Sequence, residues 1–170
     1  LREEVRGRKL TQEEVESMGY LLFLGGLDTV ANALTFSFRN LAQRPDLQRR
    51  LATEPEKLPD YVEESLRRFA VVNQTRIVKK DIIIKGAPFR AGQMLICPLT
   101  AAGLDDRRNP DPERFDIDRP DRTHITFSIG PHTCIGNTLA RLEMRVFTRV
   151  WLERIPHFGL ASAEKPPWRP

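Results

Sequence analysis

Cysteine is scarce in this sequence: Cys97 and Cys134 are the two in 170 residues, and they lie far apart. That excludes a dense disulfide framework. No charged start followed by an apolar core marks a signal peptide, so a reducing, cytoplasmic setting is expected. Charge of one sign is nowhere concentrated. Lys and Arg (27) are scattered among Asp and Glu (23), so the net charge of +4 is weak ground for nucleic acid, and none is expected as a partner. An uninterrupted hydrophobic run is also lacking. The window from Met18 to Phe38 carries one formal charge, Asp28, and is long enough to be mistaken for a membrane span, but Gly25, Gly26, Asp28, Asn32 and Thr35 interrupt it. A helix apolar nearly all round equally suits the centre of a large soluble protein, and no membrane association is expected. Low-complexity linkers and internal repeats are absent, and the length fits one domain.

What is present reads as mainly helical. Thr11 with Glu14 three residues on forms a capping box, and the apolar residues that follow predict a helix over 12–43. Further helices are expected over 45–52 and 59–69, the latter with Val62, Leu66 and Phe69 on one face. The β-rich runs 76–78, 81–84 and 93–97, punctuated by Gly86, Pro88 and Gly92, predict a small antiparallel sheet. Residues 104–124, rich in Asp, Arg and Pro, read as a surface meander. A last helix over 135–154 is expected to bury Leu139, Leu142, Val146, Phe147, Val150 and Trp151 and to stop before Pro156. A helix as long as the first needs more cover than 170 residues provide, and Leu1 to Lys9 begin in mid-pattern. The expectation is a single partial domain over 1–170.

The segment Phe127-Ser-Ile-Gly130-Pro-His132-Thr-Cys134-Ile-Gly136 places a cysteine at a helix start, where free N–H groups and the positive end of the dipole favour an anionic sulfur. Gly130 permits a sharp turn, and Gly136 has no side chain to hold a flat ligand away. A lone cysteine here also fits a small buried residue beside a turn. The ten residues, however, match F-x-x-G-x-H-x-C-x-G at every fixed position, and on that ground the chain resembles the cytochrome P450 family. The resemblance implies the C-terminal portion of that fold: long central helix, E-x-x-R helix, small sheet, meander, cysteine loop and final helix, with the N-terminal half and final strands absent. It implies haem b with Cys134 as the axial thiolate ligand of the iron, and Phe127 beside the sulfur and porphyrin. His132 falls where a propionate partner sits in the family, a surface histidine being the plainer reading. No C-x-x-C-H is present, so covalent haem attachment is not indicated, and His124 and His157 read as ordinary residues.

Gly25-Gly26-Leu27-Asp28-Thr29 sits within the long helix, where two glycines and an aspartate are individually unfavourable. Thr29 can turn its hydroxyl to the carbonyl of Gly25 and loosen the helix there. Alone, the glycine pair fits a packing notch. Within the resemblance the five residues match [A/G]-G-x-[D/E]-T, implying catalytic roles in activating dioxygen, with Thr29 as hydrogen-bonding alcohol and Asp28 as proton relay. Leu21, Leu24, Gly25 and Val72 would line the pocket of a small apolar substrate, although the leucines and Val72 fit plain core equally well.

Glu64 and Arg67 share one helix face. Such a pair usually lies exposed and contributes little. In the family it is buried and joined by an arginine from the meander, which the resemblance places at Arg114 in Pro112-Glu-Arg-Phe115, while Arg76 matches a propionate-holding position. Residues 25–29, 63–69, 102–105 and 154–158 look most like the bacterial camphor hydroxylase branch. Gln74, Pro131 and Thr133 depart from it. The implied activity is a monooxygenase drawing electrons from NAD(P)H through a ferredoxin and its reductase, docked on a basic patch of Arg119, Arg122, Arg141 and Arg145, with a terpenoid as the branch's substrate type. A peroxide-driven relative generally carries Arg-Pro in place of Asp28-Thr29, and a haem sensor needs no acid–alcohol pair. The piece by itself is expected to be inactive.

Overall fold

Thr11 opens the first helix as its spacing predicts. Its hydroxyl accepts from the Glu14 amide at 3.2 Å while the Glu14 carboxylate accepts from the Thr11 amide at 2.8 Å. In this computed structural model, which describes residues 4–5 and 7–161, helix α1 then runs Gln12–Ala42, about 45 Å by its rise. What was expected of the chain's first residues and of closing strands after Pro170 lies outside the described residues. Pro45 and Pro59 each stand in a first helical turn, where a missing N–H costs nothing, and α2 (Pro45–Thr53) and α3 (Leu58–Arg68) follow.

Ahead of α1, strands β1 (Glu4–Val5) and β2 (Arg8–Lys9) form a small ribbon. The expected single sheet is instead two separate ribbons. β3 (Asn73–Ile77) pairs antiparallel with β6 (Met94–Pro98), Asn73 opposite Pro98 and Ile77 opposite Met94. β4 (Ile82–Ile84) and β5 (Ala87–Phe89) form a hairpin whose two turn residues, Lys85 (φ 51) and Gly86 (φ 84), both take positive φ. β3 starts earlier than its apolar residues suggest because polar Asn73, Gln74 and Thr75 continue the ladder. A short helix α4 (Leu99–Gly103), which no periodicity announces, leads into the meander. Helix α5 runs Asn137–Arg154 with Gly136 as its N-cap.

The core lies where α1, α2, α3 and α5 meet, around Leu41, Leu47, Leu51, Tyr61, Val62, Leu66, Met144 and Leu152. The fully buried Tyr61 hydroxyl donates to the Ser37 carbonyl at 3.0 Å, fastening α3 to α1. Phe38, Phe147, Trp151 and Phe158 stack at ring distances of 5.2–5.8 Å. The expected buried face of α5 is corrected. Its i, i+4 row Ala140, Met144, Thr148 and Leu152 faces the bundle, whereas Leu139, Leu142, Val146 and Phe147 are exposed. The larger residues drew the expectation, but α5 is apolar on two sides. Leu142, Val146, Phe147, Val150 and Trp151 line an open groove of about 840 Å³ shared with Val30 and Leu34 of α1. The first half of α1 is similarly bare, with Tyr20, Leu21, Leu22, Phe23, Leu24 and Leu27 all exposed.

Candidate active site

The cysteine loop is shaped by backbone. Ser128 (φ 62) and Gly130 (φ 67) turn the chain, and Ser128 offsets its cost by donating its amide to Ile125 O at 2.7 Å and its hydroxyl to Gln74 Oε1 at 3.0 Å. The turn brings the Cys134 amide onto the Phe127 carbonyl at 2.8 Å, and the Asn137 side-chain amide donates to the Cys134 carbonyl at 2.6 Å. Both backbone groups of the cysteine are thus held while the residue stays exposed. Gly136 lies close by: a Cβ there would meet Cys134 Sγ at 3.8 Å.

The opposing wall is α1. The Thr29 hydroxyl donates to Gly25 O at 2.7 Å, and side chains added at Gly25 or Gly26 would meet nothing of this chain. Between loop and helix lies an apolar cleft of about 350 Å³. Of the residues expected there from sequence, it brings together Gly25, Thr29, Val72, Phe127, His132, Cys134 and Gly136. Val71, Leu99, Leu139 and Met144 join the wall with no advance sign beyond hydrophobicity, and polar Gln74, Thr126 and Glu143 join it without having been expected there. Leu21 and Leu24 do not line the cleft; both stand exposed on the bare half of α1. Asp28 is also outside it. One residue turns a helix by about 100°, which carries Asp28 off the face that Thr29 presents. Arg76 is exposed and reaches the cleft at second hand, donating to Gln74 Oε1 at 3.0 Å.

Beneath the loop, Glu64 and Arg67 are fully buried and joined twice, at 2.7 and 2.9 Å. Arg67 also donates to the carbonyls of Gly103 (2.6 Å), Pro112 (2.9 Å) and Arg114 (3.3 Å), and Glu64 accepts from the Asp116 amide at 2.9 Å. The place assigned to Arg114 is corrected: its carbonyl joins the network, but its side chain points outward to Asp116 at 3.3 Å. The third member is Arg119, buried 3.6 Å from Glu64 and donating to the carbonyls of Pro110, Asp111 and Arg114. Loop carbonyls converging from three residues need a long donor at their centre, and Arg119 has the reach. The expected basic patch shrinks accordingly. Arg119 is used inside the meander, Arg122 binds the Ile117 carbonyl and pairs with Asp60 at 3.2 Å, and Arg141 pairs with Glu63. Arg145 alone of the four is exposed and outside any ion pair among the described residues.

Glu63, beside its E-x-x-R neighbour, has no motif of its own in the sequence. It takes a bidentate pair from Arg141 and lies 3.2 Å from His124 Nε2, so His124 is not the isolated residue it looks. Partial desolvation pushes the Glu63 carboxyl up, but the bonds from His124 and Arg141 outweigh it, and its pKa falls to about 2.

Among the described residues no three His, Cys, Asp or Glu side chains gather to hold a metal ion. A single exposed sulfur in a largely apolar cleft instead fits an iron already carried in a flat macrocycle, with apolar walls for the ring and Thr29, Gln74, Thr126, His132 and Glu143 as polar lining. The comparisons agree. The family model for cytochrome P450 matches residues 1–158, and the chain belongs to the cytochrome P450 family, whose members bind haem through a cysteine thiolate. It is 40% identical to a probable cytochrome P450 127A1 of Sinorhizobium fredii, over 96% of this chain and 39% of that protein. It is 33% identical to a steroid C26-monooxygenase of Mycolicibacterium smegmatis, over 98% and 42%. The crystal structure of CYP101J2 superposes with a TM-score of 0.88 at 43% identity, covering 93% of this chain and 40% of that one. The chain therefore spans about two-fifths of the length of the proteins it matches.

Proposed function

We propose that the protein to which this chain contributes is a haem-thiolate monooxygenase that inserts one atom of dioxygen into a small apolar substrate, with Cys134 as the iron's protein ligand. The observation that carries the reading is that Cys134 and Thr29 line one apolar cleft from opposite elements. When bound, the haem supplies the iron that activates dioxygen. The chain's own residues do the rest. Phe127 and Gly136 leave one flank of the cysteine apolar and open. Thr29, anchored on Gly25 O, offers a hydroxyl that accepts one hydrogen bond while donating another. Asp28, outside the cleft on the same turn, relays protons toward Thr29. His132 and Arg76 would pair with the ring's carboxylates, a reading supported by His132 lining the cleft and by Arg76 standing beside its lining residue Gln74.

A terpenoid remains the substrate type favoured by the likeness to the camphor branch. Electrons come from NAD(P)H through a ferredoxin and its reductase in the cytoplasm, and Arg145 is the exposed cation of the expected patch left to meet an acidic partner. The test is the carbon monoxide spectrum of the reduced full-length protein. Thiolate ligation requires a strongly red-shifted Soret band, lost in Cys134→His; a wild-type band like that of a histidine-ligated globin would overturn the assignment.

A further inference from the structure

Both backbone groups of Cys134 end on partners that the same arginine holds. The Cys134 N–H donates to the Phe127 carbonyl, and the Arg141 guanidinium lies over the Phe127 ring at 4.6 Å from its centroid. The Cys134 carbonyl accepts from the Asn137 side-chain amide, whose oxygen accepts from Arg141 Nη1 at 3.0 Å. Arg141 is oriented from α3 by Glu63, Nε to Oε1 and Nη2 to Oε2 (3.2 Å), and Glu63 is braced by His124 Nε2. His124 belongs to the loop's own approach, its Nδ1 accepting the Thr126 amide at 3.3 Å while the Thr126 hydroxyl donates to Leu66 O on α3.

We infer that Glu63 and Arg141 are positioning residues that clamp the backbone of Cys134 from both sides and so fix where its sulfur stands, an assignment that rests on the cysteine being the iron ligand. The geometry favours this over a surface ion pair. A bidentate guanidinium stacked on a ring and bonded to an amide has one orientation, and its contacts with Phe127 and Asn137 each lead to the cysteine in one step. The half-buried setting adds to it: the Glu63 carboxyl is held ionised against desolvation, so the pair stays charged across the working pH range. Separately, the Glu64–Arg67 pair fixes the meander, so two successive glutamates of α3 serve two different parts of the site.

The test uses the full-length protein and two readouts. In the haem-free form, hydrogen exchange of the Cys134 amide reports the clamp without reference to iron. Arg141→Met is expected to speed it about tenfold, Glu63→Gln less, and Arg141→Lys to restore part of the protection through its charge. In the haem-loaded form, Arg141→Met is expected to split the reduced carbon monoxide complex between the red-shifted band and an ordinary one, with Arg141→Lys recovering most of the shifted fraction. Unchanged exchange together with an unchanged band in Arg141→Met overturns the clamp. If Arg141→Met does not fold, Asn137→Ala cuts one arm alone, and wild-type behaviour there overturns it equally. A wild-type protein without the shifted band defeats the haem-thiolate reading, while the exchange result still decides whether the clamp exists.

Discussion

The two walls of the cleft are built in opposite ways. The cysteine wall is a loop fastened to its neighbours by side-chain hydrogen bonds, Ser128 to Gln74 of β3 and Thr126 to Leu66 of α3, with Arg141 of α5 tied to Glu63 behind it and the meander tied to Arg67. The α1 wall is a regular helix that satisfies its own backbone and has almost nothing packed on its first half, where Leu21 is 68% and Phe23 67% exposed. An irregular backbone must find partners for each N–H and C=O, and buried guanidinium groups supply several at once. A helix needs only apolar cover. The loop therefore carries its order within these 170 residues, whereas α1 awaits surface from elsewhere.

The largest effect is expected at Arg67. Removing it takes both guanidinium bonds from buried Glu64, leaving it only the Asp116 amide and Arg119 at 3.6 Å, and strands the carbonyls of Gly103 and Pro112. Arg67→Ala is expected to destabilise the full-length protein by about 3–5 kcal/mol in chemical unfolding. A loss under 1 kcal/mol would show that the meander does not depend on this hub.

Next comes Gly103, whose importance no motif announces. A Cβ there collides with the Arg67 carbonyl and lies 3.1 Å from its carbonyl carbon, so α4 must back away from α3. Gly103→Ala is expected to cost about 1–3 kcal/mol by overpacking. The same change at Gly25 or Gly26 meets nothing within this chain. An equal penalty at Gly25 would mean that the α1 wall is also closely covered in the full-length protein, and would narrow the contrast.

What could be read from sequence divides along the same line. The ends of α1, the E-x-x-R pair and the cysteine at its turn follow from local rules of capping, spacing and glycine placement. The P-E-R-F motif points to Arg114, whereas the structure uses Arg119, the arginine that reaches the converging carbonyls. Glu63 was hidden for a related reason: its partners are 61 and 78 residues away. The buried face of α5 is not legible from its sequence because two apolar rows share that helix, and burial is settled by what packs on each row. Asp28 and Thr29, adjacent in the chain, separate in space once the helix period is applied.

A smaller effect concerns acid. The Glu63 carboxyl falls from 4.5 to about 2, so its bonds stabilise the folded state fully above the unfolded value and are lost as pH drops through the folded one. Glu63→Gln is expected to cost about 1 kcal/mol near neutral pH, discounted for partial solvent screening, and to flatten the decline in stability between about pH 4.5 and 2. A variant whose acid limb follows wild type would remove Glu63 from the loop's support.

The smallest expected change in stability falls on the α1 wall and carries the most chemical information. Thr29→Ala removes a back-bonded hydroxyl from a helix and installs the best helix former, so unfolding free energy should move by no more than about 0.5 kcal/mol. If Thr29 only shapes a notch, turnover should hardly change. If its hydroxyl directs protons during dioxygen reduction, the full-length Thr29→Ala enzyme should go on consuming NAD(P)H and oxygen while releasing hydrogen peroxide in place of product. Asp28→Asn tests the separation of the two side chains. The carboxylate lies outside the cleft while the hydroxyl lines it, so losing the acid should slow the whole cycle, by the roughly 10²- to 10⁴-fold typical of general acid help, with little leakage. Peroxide formed per NAD(P)H distinguishes the cases: equal ratios in wild type and Thr29→Ala would reduce the α1 wall to a structural notch, and high leakage in Asp28→Asn would place both side chains in one role despite their different faces.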